Sequence, residues 1–211
     1  MRIVSLSLLA LCLAAVPAAA QVVYSNGPIN GTTDAWSIND PYVVSDSFVV
    51  PGGGASINGL IFGAWLVPGS LLMSAQISIT SSEFGGTSYF DQVVNFTESG
   101  CSGNQYGYNV CTETSSAFGP VNLAAGTYWL NLENANAGLD APVYWDENSG
   151  PSSASESSVG TIPSESFTIL GNSTTSSTTT SSGGTVPEPS SIMLFGSGIL
   201  GLAGVLRRKL F

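Results

Sequence analysis

Carboxylates are the residues in this chain that could do acid–base or cation-binding chemistry. Thirteen of its 14 acidic residues lie between Gln21 and Val186, and this stretch contains no Lys, Arg or His. Ser-His-Asp and Cys-His mechanisms need an imidazole, and Schiff-base chemistry needs a lysine. The composition excludes these mechanisms and leaves carboxylate catalysis or the binding of a hard cation.

The adjacent acids Asp146 and Glu147, in the segment VYWDENSG, are the best candidates for paired-carboxylate catalysis. Glycoside hydrolysis needs two carboxyl groups facing each other across a cleft. Successive side chains of a strand point to opposite faces, so this pair cannot serve one site while the strand stays regular. A carboxylate after a strand is more often a solvated turn residue, and we predict that the protein is not an enzyme.

Calcium binding is the alternative chemistry, because Ca²⁺ takes oxygen ligands from carboxylates, amides and backbone carbonyls. The sequence has no loop with D-x-D-x-D-G spacing. We therefore predict no cofactor and leave a structural calcium ion open. The candidate ligands are Asp34, Asn39 and Asp40 in one segment, and Asp140, Asp146, Glu147 and Asn148 in another.

Two cysteines, Cys101 and Cys111, remain once the N-terminal segment with Cys12 is set aside. An even pair in an exported protein predicts a disulfide, which stabilises a loop of this length by about 2–3 kcal/mol in the chain-entropy model. The alternative is a redox pair, which usually has C-x-x-C spacing beside a group that lowers a thiol pKa. The wide spacing and the absence of nearby cations favour the structural disulfide.

Residues 1–20 have the three parts of a secretory signal peptide. Arg2 supplies the positive region, residues 3–16 form an apolar run, and three alanines at 18–20 form the small-residue cleavage pattern. We predict that signal peptidase cleaves after Ala20.

Residues 21–170 consist of short β-type runs separated by turn residues. In LLMSAQISIT (71–80), every second residue from Met73 to Ile79 is apolar, as in a half-buried antiparallel strand. No segment of this region has the apolar spacing of an amphipathic helix. We predict an all-β domain, an antiparallel β-sandwich of jelly-roll type with eight to ten strands. The other predicted strands span 43–50, 56–67, 88–96, 125–135, 141–145 and 166–170.

The segment GTYWLNLE contains the best candidate for ligand binding. Alternation places Tyr128, Leu130 and Leu132 on one face and Trp129 on the other, beside polar neighbours. A tryptophan that faces outward among polar groups can stack on a sugar ring. The alternative is that Trp129 lies beneath a loop or a second layer.

Residues 171–186 cannot form a packed core, because NSTTSSTTTSSGGT has no apolar group beyond threonine methyls. We predict a flexible tether spanning about 20 Å on average.

Residues 187–211 contain a Pro187-Glu188-Pro189 triplet, an apolar stretch at 192–206 and a basic cluster. As a transmembrane helix, the apolar stretch would be about 22 Å long, shorter than the hydrocarbon core of about 30 Å. Basic residues mark the cytoplasmic end of such a helix. The segment therefore predicts a temporary inner-membrane anchor. The membrane stop is Arg207, Arg208 and Lys209.

This tail resembles the PEP-CTERM sorting signal of Gram-negative bacteria over about 26 residues. The resemblance implies recognition by an exosortase, a membrane transpeptidase, and processing near the Pro-Glu-Pro triplet. Such proteins are typically exported by species that build an exopolysaccharide or biofilm matrix. The resemblance does not extend to the β domain, so it predicts delivery and not chemistry.

The acidic body excludes nucleic acid and anionic lipid headgroups as partners, because nothing in it can neutralise a phosphate. We predict an exported protein of the cell surface or extracellular matrix that displays a β-sandwich on a flexible tether. One alternative is a carbohydrate-binding module for neutral exopolysaccharide, with Trp129 as the stacking residue. A carboxylate-dependent glycosidase is the third hypothesis.

Overall fold

The computed structural model describes residues 21–173, and every strand pair in them is antiparallel. The predicted signal peptide, the sorting triplet, the membrane stop and the helix at 192–206 lie outside these residues. Within 21–173, no helix is long and apolar enough to cross a membrane. The strands are β1 (Gln21–Ser25), β2 (Ala35–Ser37), β3 (Val43–Val50), β4 (Ala55–Leu66), β5 (Leu72–Ser82), β6 (Gly85–Gly103), β7 (Asn109–Ser115), β8 (Val121–Leu123), β9 (Gly126–Ala137), β10 (Val143–Asp146), β11 (Ala154–Glu156), β12 (Gly160–Ile162) and β13 (Phe167–Ser173).

The strands form two sheets that are joined through the long strand β6. Up to Asn95, β6 pairs with β5, and from Phe96 onward it pairs with β7. The β9 sheet contains β12, β11, β3, β9 and β5 in that order, and the β4 sheet contains β1, β13, β4 and β7 with β10, β2 and β8. The sheet therefore curls back on itself.

The hydrophobic core lies between the two sheets. Strand β4 contributes Ile57 and Phe62, and strand β9 contributes Leu130 and Leu132, all at most 1% exposed. They belong to one continuous apolar cluster. The prediction of an all-β antiparallel domain is confirmed, and so is the core-facing side of β9.

Strand β5 departs from the predicted alternation at its start. Leu72 is buried and Met73 is 49% exposed, although the pattern placed Met73 with the apolar set. The pairing of β5 with β9 shifts register on both sides of Ser74. An irregularity of this kind exchanges the two faces, so the prediction for Met73 was wrong.

Residues 21–173 contain thirteen strands where eight to ten were predicted for the β domain. The additional strands include β2, β8, β11 and β12, each of three residues. Three residues are too few to show a period-two pattern, and only pairing with a neighbour defines them as strands. Strand β13 continues to Ser173, so the first residues assigned to the tether are paired with β4.

The predicted disulfide between Cys101 and Cys111 is present. It joins the paired ends of β6 and β7, and the hairpin turn between them contains Tyr106 and Tyr108. The disulfide thus holds the base of an aromatic turn.

Candidate functional site

Tryptophan and tyrosine side chains are concentrated on the β4 sheet where β2, β4 and β10 meet the β6–β7 turn. Strand register places Tyr144 opposite Trp65, and Trp145 opposite Trp36. The neighbours of Trp65, Ala64 and Leu66, are completely buried in the core, so Trp65 is on the opposite face of the sheet.

The aromatic rings of this region contact one another in a row. Trp65 stacks on Tyr106 with ring centroids 5.4 Å apart and 22° between the planes. Tyr108 contacts Trp65 at 6.0 Å and the edge of Tyr144 at 5.5 Å. The Tyr106 hydroxyl donates to the carbonyl of Thr33 at 3.4 Å, which ties the hairpin turn to the segment before β2.

Two carboxylates hold the tryptophans by their indole N–H groups. Trp65 Nε1 donates to Asp146 Oδ1 at 2.7 Å, and Trp36 Nε1 donates to Glu147 Oε2 at 3.1 Å. Asp146 is completely buried and also accepts the backbone N–H groups of Asn30 and Gly31, each at 2.9 Å. The two acids considered for catalysis therefore bind different tryptophans and orient them.

Two neighbouring concavities share Ala35 and Tyr144 in their linings. The first, of about 230 Å³, is lined by Trp65, Tyr106 and Tyr108 and by the exposed Asp34. The second is larger, about 490 Å³. Its lining includes Trp36, Tyr42, Pro142, Glu156 and Val159.

A third concavity of about 260 Å³ adjoins the second and shares Asn39 with it. Its lining includes Asp40 and Asp140. We call the three concavities together the groove. Six aromatic side chains line it, and none of them is phenylalanine: Trp36, Tyr42, Trp65, Tyr106, Tyr108 and Tyr144.

Glu156 is fixed in the second concavity in its ionised form. Burial alone would raise the pKa of Glu156, but hydrogen bonds from Ser158, Ser157 and Val159 outweigh burial and hold the pKa below its usual value. Burial and the Tyr108 hydroxyl raise the pKa of Tyr144. The phenol therefore stays protonated, and its O–H group can donate a hydrogen bond to a ligand.

A buried polar network links the segment after β1 to strand β3 and to the segments before β11 and after β12. Asn26 Nδ2 lies within hydrogen-bond distance of Asp46 Oδ2 at 3.2 Å, and of Ser152 Oγ and Ser164 Oγ at 2.6 Å. Burial raises the pKa of Asp46 to about 6. Burial and the neighbouring Asp46 raise the pKa of the completely buried Glu165 well above its usual value.

The structure places the predicted stacking residue apart from the groove. Trp129 is partly exposed on the face of β9 opposite Tyr128, Leu130 and Leu132, as predicted, but it does not line the groove. Stacking of a glycan on Trp129 stays a prediction.

The candidate calcium ligands are largely engaged within the domain. Asn39 Oδ1 accepts the N–H of Val143, and Asn148 Oδ1 accepts that of Gly150. Among residues 21–173, the acids and cysteines that come within 4.8 Å as a group of three are Glu98, Cys101 and Cys111, and these cysteines are bonded to each other. A structural calcium ion stays an open alternative to the prediction of no cofactor.

Sequence patterns missed the aromatic residues of the groove. The one available signal was NQYGYN, an aromatic-rich turn between the cysteines. The other members are separated by up to about a hundred positions, and only strand pairing brings them together.

Comparison with known proteins identifies the tail. A family model described as the PEP-CTERM protein-sorting motif matches residues 185–209, which include the Pro-Glu-Pro triplet and the membrane stop. The match is confined to the tail and implies an exported protein whose membrane-anchored precursor is processed by exosortase. No curated protein and no solved structure matches the chain significantly.

Proposed function

We propose that exosortase delivers this protein to the cell surface or the exopolysaccharide matrix, where the tethered β domain binds polysaccharide through the groove. The observation that carries the binding proposal is the lining of adjacent concavities by six tryptophan and tyrosine rings. The sorting motif supports the delivery proposal.

Tryptophan and tyrosine suit a wet, sugar-binding surface better than phenylalanine does. Each combines a flat apolar face with an N–H or O–H group at its edge. The apolar face stacks on the C–H face of a sugar ring, and the polar edge exchanges hydrogen bonds with hydroxyl groups. Concave sites with aromatic walls and a few fixed polar groups are typical of small-ligand and oligomer binding.

The charge of the domain restricts the polysaccharide. The body between Gln21 and Val186 carries 13 acidic side chains and no basic one, so its net charge is about −13. A uronic or sulfated polymer would be repelled. The charge therefore leaves neutral and cationic polysaccharides as the possible ligand classes.

Binding without cleavage is the activity that we propose. Asp146 accepts three hydrogen bonds within the domain, and Glu147 accepts one from Trp36. Burial raises the pKa of Glu147, and the nearby Asp34 and Asp146 raise it further against the lowering effect of Trp36. The adjacent acids serve to position the tryptophans in this proposal.

Retention of the exported protein on immobilised neutral polysaccharides tests the proposal. Tyr106 and Tyr42 are 52% and 40% exposed and lie outside the hydrophobic core, so Tyr106→Ala and Tyr42→Ala remove groove surface and leave the core intact. Each should weaken binding about fivefold, since an aromatic contact is worth about 1 kcal/mol. Tyr89→Ala is the matched control, because Tyr89 is 42% exposed on β6 and does not line the groove.

The outcome separates two surfaces. Loss of binding in Trp129→Ala with full binding in Tyr106→Ala and Tyr42→Ala would place the glycan on β9 instead of the groove. Failure of the parent protein to bind any polysaccharide would leave display alone as its role.

A further inference from the structure

We infer that the groove is selective for a polysaccharide of amino sugars that carry free, protonated amines. This inference rests on the proposed function and names the ligand class for the same groove. It follows from the presence of both carboxylates and aromatic rings in the groove.

A carboxylate is present in each of the three concavities. Asp34 lines the first, Glu156 the second, and Asp40 and Asp140 the third. All six aromatic residues line the first two concavities, so each of these two contains both sugar-stacking surfaces and an acidic group.

Nothing in the described part of the chain neutralises these acids. Residues 21–173 contain no Lys, Arg or His. The carboxylates behind the tryptophans, Asp146 and Glu147, add to the negative potential of the groove wall. A ligand that carries positive charge therefore gains electrostatic attraction that a neutral polymer does not.

The two carboxylates next to the aromatic rings are held in place. Glu156 accepts hydrogen bonds from the loop that follows it, and its ionised form is the stable one. Asp34 Oδ1 accepts the N–H of Ala35 at 2.9 Å, while the residue as a whole is exposed. Both are thus positioned before a ligand arrives, which lowers the entropic cost of binding.

The aromatic rings also favour an ammonium group. The faces of tryptophan and tyrosine attract cations that come within about 6 Å of the ring centre. A protonated amino sugar offers a C–H face for stacking and an ammonium group for the neighbouring ring or carboxylate. A neutral sugar uses only the first of these, and an acidic sugar is repelled.

Matched oligosaccharides test the inference on the exported protein. Glucosamine oligomers and their N-acetylated counterparts of equal length differ in charge at the same backbone. Titration calorimetry at mildly acidic pH, where the amines are protonated, should show about tenfold tighter binding of the free-amine form. Added salt should reduce this advantage, because exposed charges are screened.

Asp34→Asn provides the residue-level test. The amide oxygen of Asn can still accept the N–H of Ala35, so the turn is preserved. The variant should weaken binding of the free-amine oligomer several-fold and leave the acetylated oligomer unchanged. Asp91→Asn is the control, because Asp91 is an exposed acid that accepts one hydrogen bond, from Gln76, and lies outside the groove.

The possible outcomes decide between separate claims. Equal binding of the two oligomers overturns the charge selectivity but leaves polysaccharide binding intact. Binding of neither oligomer, nor of any other polysaccharide, overturns the proposed function itself. Equal binding of an oligolysine of the same charge, unaffected by Tyr106→Ala, shows that charge alone attracts the ligand and overturns the inference. If Asp34→Asn weakens the binding of both oligomers, Asp34 has a structural role, and the inference is overturned.

Discussion

Replacing Glu113 by glutamine should remove a large part of the pH dependence of folding. Glu113 lies on β7 directly opposite Glu98 of β6 and Phe62 of β4, and its side chain is completely buried. Neither carboxylate oxygen has a hydrogen-bond partner. Burial, and then the charge of Glu98, raise the pKa of Glu113 from 4.5 to about 8.

The sign of the effect follows from where the proton is held more tightly. The folded protein binds it up to about pH 8, whereas the unfolded chain releases it near pH 4.5. The contribution to stability is therefore complete below pH 4.5, falls as pH rises and is lost above about pH 8. At about 1.4 kcal/mol per pKa unit, the whole shift corresponds to about 5 kcal/mol, which solvent screening near the partly exposed Glu98 reduces to about 3 kcal/mol.

Urea unfolding of the parent protein and of Glu113→Gln across this pH range measures the effect. Glutamine has nearly the same shape and no charge, so the variant should be about 3 kcal/mol more stable than the parent at alkaline pH and close to it in acid. Asp46 and Glu165 titrate in both proteins and cancel in the difference. Glu83→Gln, at an exposed position, is the control and should follow the parent curve.

Parallel curves of unfolding free energy against pH for the parent and Glu113→Gln would refute the reasoning. They would mean that Glu113 is ionised and hydrated in the folded protein. If the pH dependence of the free energy of unfolding disappears in Glu98→Gln instead, the effect comes from repulsion between the two acids and not from burial.

Three further predictions concern the Asn26 polar network, the disulfide and the tail. Asn26→Ala should lower the free energy of unfolding by about 2–4 kcal/mol, because it removes the side-chain donor to the buried carbonyl of Glu165 and one of the donors to Asp46; urea midpoints measure this loss. Alkylation without reduction should label neither Cys101 nor Cys111, and replacing both by serine should cost about 2–3 kcal/mol in the same unfolding assay. In a host with exosortase, intact mass of the exported protein should show loss of residues 1–20 and of the membrane stop; a species that retains Lys209 would contradict the sorting prediction.

The sequence by itself determined the features that depend on neighbouring residues. Period-two alternation predicted strands at 43–50 and 125–135, and the buried side of β9 at Leu130 and Leu132 is confirmed. The cysteine pair predicted its disulfide. The sorting signal is a contiguous motif, which is why it could be recognised without any knowledge of the β domain.

Only the tertiary structure decided which residues form the groove. The pairing of β10 with both β2 and β4 brings Tyr144 beside Trp65, and the β6–β7 turn then adds Tyr106. Alternation tells which face of a strand a side chain occupies, but not which loop or strand lies against that face. For the same reason no local pattern singles out Glu113, although strand pairing buries it completely. Long-range strand pairing depends on the energy of the whole core, and no local pattern in the chain records it.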